Sequence, residues 1–125
     1  MDIKARTNNL GGILKDIPIS DKISELDIAI KAAQEAGNAI LEIYKGEFEE
    51  FTKKDDSPIT EADLKSNEII KGILSQTKHK ILSEEDKDDQ SRLSEEIIWI
   101  VDPLDGTSDF IDKTGEFTVM IALVK

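Results

Sequence analysis

Hydrophobic positions recur at a helical spacing in the first part of the chain, and the pattern begins at Ser24. Ser24 is followed three residues later by Asp27, the arrangement of a capping box that starts a helix. We predict an amphipathic helix that ends at Gly46. Its predicted inward face consists of Leu26, Ile30, Ala33, Gly37, Ile40, Ile43 and Tyr44.

A second helix is predicted to begin at Thr60, which has Asp63 three positions later. The preceding segment 47–51 alternates weakly, a pattern typical of either a strand or an extended loop, and residues 53–58 form a charged turn. The residues of the second helix predicted to face inward are Leu64, Ile69, Ile70, Ile73 and Leu74.

After the second helix the apolar residues form short runs that are typical of strands. Residues 81–82 predict a short strand, residues 97–101 a strand buried on both faces, and residues 117–124 another strand. A short helix is predicted to start at Thr107 or Ser108. Two helices followed by apolar strands predict an α+β fold or a layered α/β sandwich.

Composition and charge fit one globular domain. The chain has 125 residues, of which 38% are hydrophobic and 34% charged. Residues 1–23 carry a charge of +1 and have scattered apolar positions, so we interpret them as a loosely structured lead-in to a domain over residues 24–125. The sequence has no apolar run of membrane-spanning length and no signal-peptide pattern, so we expect a cytoplasmic protein without a membrane partner.

The available side chains restrict the chemistry to carboxylates and hydroxyls. There is no cysteine, which excludes disulfides and thiolate sites, and the single histidine, His79, disfavours His-based triads. The net charge of −11 argues against nucleic acid as a partner, because binding phosphates along a nucleic acid requires basic patches. A protein of this charge needs cations to handle phosphate.

Candidate chemistry concentrates after the strand that contains Trp99. Asp102 and Asp105 flank Pro103, whose fixed φ stiffens the turn, so we predict two carboxylates projecting from a rigid strand end. Such oxygen ligands suit Mg²⁺, which usually takes a few protein carboxylates and completes its shell with water and phosphate oxygens.

The residues that follow suit a phosphate group. Gly106 lets the backbone approach closely, and the N–H groups of Thr107 and Ser108 at a helix start would bind an anion. The alternative is a plain helix-capping turn, since Asp-Pro and Asp-Gly pairs are common in turns. The residues alone favour a capping role for Asp63 over catalysis, although one residue can do both. For residues 83–86 they favour a solvated acidic loop.

Three motifs in order then resemble one family. KDDSPITEAD at 54–63, LSEE at 82–85 and WIVDPLDGT at 99–107 resemble the inositol monophosphatase superfamily of Mg²⁺-dependent, lithium-sensitive phosphatases. The resemblance covers residues 26–125. Leu104 together with residues 110–111 and 115–119 is most similar to the CysQ-type 3′(2′),5′-bisphosphate nucleotidases.

The resemblance implies a layered α/β sandwich of the sugar-phosphatase type, with this chain as its two-helix and sheet portion. It also implies two or three Mg²⁺ ions, a small phosphate ester as substrate, attack by an activated water, and a homodimer as the default assembly. The implied roles are metal ligation by Glu84, Asp102, Asp105 and the Leu104 carbonyl, phosphate binding by Gly106, Thr107 and Ser108, water activation by Asp63 with Thr107, and support from Thr60 and Glu85.

The sequence also departs from the family pattern. Family members are longer, and a further metal-binding Asp lies in their second domain, so we expect this chain to be a truncated N-terminal part that binds Mg²⁺ weakly and hydrolyses little alone. Ser108-Asp109 replaces the Lys-Glu pair often found at these positions. Inositol monophosphatase activity and a non-catalytic metal- or phosphate-binding module remain the alternatives, as does a truncated domain whose edge strands pair with another chain.

Overall fold

Two long helices pack on one face of a three-stranded sheet. The computed structural model describes residues 24–125, and the lead-in predicted for residues 1–23 lies outside them. The elements are α1 (Glu25–Tyr44), β1 (Glu50–Thr52), β2 (Pro58–Thr60), α2 (Glu61–Leu74), β3 (Lys80–Ser83), a 3₁₀ helix (Ser91–Ser94), β4 (Ile98–Asp105), α3 (Thr107–Ile111) and β5 (Thr118–Val124). Among these residues, no helix is both long and apolar enough to cross a membrane.

Helix α1 begins where the capping pattern predicts, but its buried stripe differs from the predicted one. The Ser24 hydroxyl accepts a hydrogen bond from the backbone N–H of Asp27 at 3.2 Å. The predicted inward residue Leu26 is 68% exposed, so that prediction is wrong. Small residues four positions apart let α1 lie close to its neighbours, and the buried stripe is therefore Ile28, Ala32, Ala36 and Ile40.

Helix α2 also begins as predicted, capped by Thr60. The large apolar residues of its inward face lie in the last turns, where Ile70, Ile73 and Leu74 are buried as predicted. Leu64 is 46% exposed, contrary to prediction. The reason is that buried polar side chains occupy the inward face of the first turns, namely Asp63, Ser66 and Asn67.

The sheet has the strand order β3-β4-β5, with β3 parallel to β4 and β4 antiparallel to β5. Trp99 and Val101 of β4 face the helices and are buried, whereas Ile100 between them is 41% exposed. The prediction of a strand buried on both faces is therefore wrong. Successive side chains point to opposite faces of a sheet, and in the described part of the chain only one face is covered.

Strand β4 continues past the point where the sequence predicts its end. It runs through Asp102, Pro103 and Leu104 to Asp105, with an irregularity in its pairing to β5 between Asp102 and Asp105. Proline has no N–H for the ladder and is tolerated in a strand at such irregularities. The two aspartates are thus part of a bulged strand end rather than of a turn beyond the strand.

The segment before α2 is a hairpin. Strands β1 and β2 pair antiparallel, so the alternative of a strand is correct for the end of segment 47–51. The tight connection has Asp56 at a φ of 68°, and the backbone N–H of Lys53 donates to the carbonyl of Ser57 at 2.9 Å. The hairpin places Lys53 near the end of β3, where its side chain contacts Glu85.

Candidate functional site

Asp63 is fully buried and joins the start of α2 to the start of α3. Its Oδ2 accepts hydrogen bonds from the backbone N–H and the hydroxyl of Thr60, at 2.8 and 2.7 Å. Its Oδ1 accepts a bond from the hydroxyl of Thr107 at 2.8 Å. The capping role and the pairing implied by the family resemblance therefore coexist in one carboxylate, because each oxygen serves a different partner.

Two of the predicted metal-binding carboxylates lie side by side at the ends of neighbouring strands. The backbone N–H of Glu84 continues the ladder by donating to the Val101 carbonyl at 3.0 Å, which places Glu84 beside Asp102. Burial, the adjacent Glu84 and the charge of Asp105 raise the pKa of Asp102 to about 7. Concentrated negative charge of this kind is relieved by a proton or by a cation.

The donor set fits Mg²⁺ better than a metal that needs a complete protein cage. Within residues 24–125, no three acidic or histidine side chains converge into a group ready to hold a metal ion. Glu84 and Asp102 are close together, while Asp105 contributes charge from the exposed side of the strand end. Mg²⁺ typically uses one or two carboxylates together with water and substrate oxygens, so an open carboxylate pair suits it.

The predicted phosphate-binding residues form the junction between β4 and α3. Gly106 has a φ of 92°, and a Cβ at this position would lie 2.7 Å from the Glu116 carbonyl oxygen, so only glycine fits. Thr107 is the first residue of α3, as predicted, and Ser108 is exposed. The Leu104 carbonyl lies 3.4 Å from the Thr107 hydroxyl, and the roles of these residues toward metal and phosphate stay predictions.

Glu85 is held by a cation that the sequence analysis did not single out. Lys53 Nζ donates to Glu85 Oε1 at 3.0 Å and lies 2.9 Å from Oε2, and the Glu85 side chain is only 2% exposed. Burial raises the pKa of Glu85, and the charge of Lys53 opposes that rise. A solvated acidic loop is therefore the wrong interpretation of this carboxylate.

Sequence reasoning also missed the polar residues of α2 that support the site. The hydroxyl of Ser66 donates to the Pro103 carbonyl at 2.7 Å and fixes the bulged strand end against the helix. Asn67 bonds to the side chain of Ser83 at the end of β3, and both Asn67 and Lys71 bond to Asp86 in the turn that follows. A signal was present in the sequence, because polar residues at positions 63, 66 and 67 share the helix face that continues to Ile70.

Comparison with known proteins places these features in a family. The sequence profile of the inositol monophosphatase family matches residues 21–125. The 3′(2′),5′-bisphosphate nucleotidase CysQ of Salmonella typhimurium is 42% identical over 105 residues, which cover 80% of this chain and 43% of that protein. The chain thus spans about two-fifths of the length of this relative.

Solved structures share the fold. CysQ from Bacteroides thetaiotaomicron matches with a TM-score of 0.67 and 50% identity over 78% of this chain and 36% of that one. The extragenic suppressor protein suhB from Bartonella henselae matches with a TM-score of 0.70 and 28% identity over 80% of this chain and 40% of that one. These matches confirm the predicted layered fold, and together with the profile match they establish that the chain belongs to the inositol monophosphatase family.

Proposed function

We propose that this chain carries the metal-binding and water-activating part of a Mg²⁺-dependent phosphomonoesterase that acts as a 3′(2′),5′-bisphosphate nucleotidase. The observation that carries the proposal is the hydrogen bond from the Thr107 hydroxyl to the buried Asp63, at the same strand–helix junction as the carboxylate of Asp102. The substrate class comes from relatives such as the CysQ of Salmonella typhimurium, named for this activity. Because the chain spans about two-fifths of that protein, the activity of the whole protein belongs to the proposal.

The Thr107–Asp63 pair is arranged to take a proton from water. Since the Thr107 hydroxyl donates its own proton to Asp63, its lone pairs are left to accept a hydrogen bond from a water molecule. As that water attacks phosphorus, Thr107 can take the water's proton while passing its own to Asp63 Oδ1. The bonds from Thr60 to Oδ2 keep the carboxylate oriented during this transfer.

The adjacent carboxylates of Glu84 and Asp102 would hold Mg²⁺ beside this pair. Asp105 and the Leu104 carbonyl would be the further ligands that the family resemblance implies. When bound, Mg²⁺ supplies positive charge that offsets the acidic site, polarises the phosphoryl group and stabilises the leaving oxygen. Gly106, Thr107 and Ser108 would bind the phosphate through their backbone N–H groups. Without a cation, the net charge of −11 repels a phosphate ester.

The test has a binding arm and a turnover arm. Calorimetric titration of Mg²⁺ into the wild-type chain, Asp102→Asn and the control Asp112→Asn, which removes an exposed carboxylate at the end of α3, measures metal affinity. Phosphate release is measured from adenosine 3′,5′-bisphosphate and inositol 1-phosphate, with and without Li⁺. We expect Mg²⁺ binding that Asp102→Asn abolishes and Asp112→Asn preserves, with little turnover by this chain alone.

The outcomes test the choice of substrate and the metal site separately. Mg²⁺-dependent, Li⁺-blocked release that is faster from the nucleotide supports the nucleotidase assignment, and faster release from inositol 1-phosphate overturns the choice of substrate. Metal binding without turnover supports the metal-binding part of the proposal and leaves hydrolysis to a longer chain. Failure of the wild-type chain to bind Mg²⁺ at millimolar concentration overturns the metal site.

A further inference from the structure

One amide on α2, that of Asn67, bonds to both ends of the turn that carries Glu84 and Glu85. The hydroxyl of Ser83 donates to Asn67 Oδ1 at 2.6 Å, and Asn67 Nδ2 donates to Asp86 Oδ1 at 3.0 Å. Ser83 and Asn67 are 2% and 8% exposed, so the bond between them is sheltered from water, and the bond to Asp86 is partly buried. The turn is therefore attached to the helix at its first and last residues by a single side chain.

The chemistry of the partners allows only one orientation of this amide. The Asp86 carboxylate can only accept, so the nitrogen of the amide must face it and the oxygen must face Ser83. The Ser83 hydroxyl accepts from the backbone N–H of Glu85 at 3.3 Å, and its own proton is then free for Asn67. Lys71, one helical turn after Asn67, pairs with the other oxygen of Asp86 at 2.7 Å and reinforces the same end.

The attachment matters because Glu84 follows Ser83 directly, and its backbone N–H donates to the Val101 carbonyl, next to Asp102. Glu84 lies against Asp102, and Asp105 adds further negative charge. A turn with free ends could rotate Glu84 away from Asp102, and the carboxylate pair would be lost. Attachment at Ser83 and Asp86 opposes that rotation, because the two residues flank Glu84 and Glu85 directly.

We infer that Asn67 is a positioning residue that holds the 83–86 turn so that Glu84 stays beside Asp102 and the two carboxylates can bind a divalent cation together. The inference rests on the metal-binding part of the proposed function. Asn67 does not contact the cation or the substrate in this role. It acts through the turn, as outer residues that orient metal ligands commonly do.

An exchange of donor and acceptor tests this role. Asn67→Asp keeps the acceptor for Ser83 but sets a carboxylate against Asp86. Asn67→Asp with Asp86→Asn restores one hydrogen bond in the opposite direction and the original net charge, and it moves the carboxylate available to Lys71 from position 86 to position 67, one helical turn before Lys71. Gln76→Glu makes the same amide-to-carboxylate change at an exposed position after α2 and serves as the matched control. The readouts are calorimetric Mg²⁺ affinity and metal-free hydrogen exchange at the amides of Glu84 and Asp86, which bond to the Val101 and Ser83 carbonyls.

We expect Asn67→Asp to weaken Mg²⁺ binding about 10-fold, although it adds negative charge that by simple attraction would strengthen binding. Its Glu84 and Asp86 amides should exchange about 10-fold faster, since the turn opens more often. The double variant should recover both quantities to within about 3-fold of wild type, and Gln76→Glu should change neither.

The following outcomes decide whether Asn67 holds the turn. Unchanged exchange at Glu84 and Asp86 in a folded Asn67→Asp chain overturns the positioning role, as does a folded double variant without recovery. If Asn67→Asp does not fold, as judged by far-UV circular dichroism, the double variant alone decides. If the wild-type chain binds no Mg²⁺, the metal part of the proposed function fails, while hydrogen exchange still decides whether Asn67 holds the turn.

Discussion

Helices α1 and α2 begin at capping boxes of the same chemistry in different surroundings, and replacing their aspartates separates local from tertiary stabilisation. Asp27 bonds to the backbone N–H and hydroxyl of Ser24, at 3.2 and 2.7 Å, in an exposed position. The buried Asp63 makes the equivalent two bonds to Thr60, which are also buried, and adds a partly buried bond from Thr107. We predict that Asp63→Ala costs much more stability than Asp27→Ala.

The magnitudes follow from the contacts. Asp27→Ala removes an exposed cap and should lower the free energy of unfolding by about 0.5–1 kcal/mol. Asp63→Ala removes three hydrogen bonds to a charged group and leaves buried donors without partners, so we expect a loss of about 3–5 kcal/mol. Asp63→Asn should cost only about 1–2 kcal/mol, because its oxygen can still cap Thr60 while its amide donates to the Thr107 hydroxyl.

Urea unfolding followed by circular dichroism at 222 nm, without divalent metal, measures these differences. The comparison is valid where the dependence of the free energy on urea is the same for all variants. The reasoning is refuted if Asp63→Ala costs no more than Asp27→Ala, or if Asp63→Asn is as damaging as Asp63→Ala. In a longer chain with measurable phosphatase activity, Asp63→Asn should abolish hydrolysis despite its modest effect on stability. The side-chain amide cannot accept the proton that Thr107 passes to Asp63 in the proposed step.

Two further predictions concern Asp102 and Gly106. Because the folded pKa of Asp102, about 7, lies above its unfolded value of about 4, the metal-free chain should lose stability as pH rises from about 4 to about 7, and its Mg²⁺ affinity should rise over the same range. Asp102→Asn should flatten this part of the pH–stability profile, and an unchanged slope would contradict the assignment. Gly106→Ala should lower the free energy of unfolding by about 1–3 kcal/mol, because its Cβ would meet the Glu116 carbonyl at a positive φ; a thermal melt like that of wild type would show that the junction relaxes freely.

Several features of this protein follow from local sequence alone. Both long helices begin at their capping boxes, and the short helix begins at Thr107, because these signals depend on residues a few positions apart. Strands β3, β4 and β5 lie at the predicted apolar runs, and the three ordered motifs carry the resemblance to the family. The carboxylates and hydroxyls predicted for the site likewise stand in these motifs.

Only the tertiary structure decided how those residues meet. Thr107 and Asp63 are 44 positions apart, and Lys53 and Glu85 are 32 apart, so no local pattern contains either pair. Tertiary packing also explains why Leu26 and Leu64 are exposed although we predicted them to face inward. The buried face of a helix is the one that contacts its neighbours, and it need not contain the largest apolar residues. The sequence by itself determined where most elements begin and which groups are available for the chemistry. Packing decided which carboxylates are buried, paired or adjacent, because burial and electrostatic coupling depend on distances that only the folded chain sets.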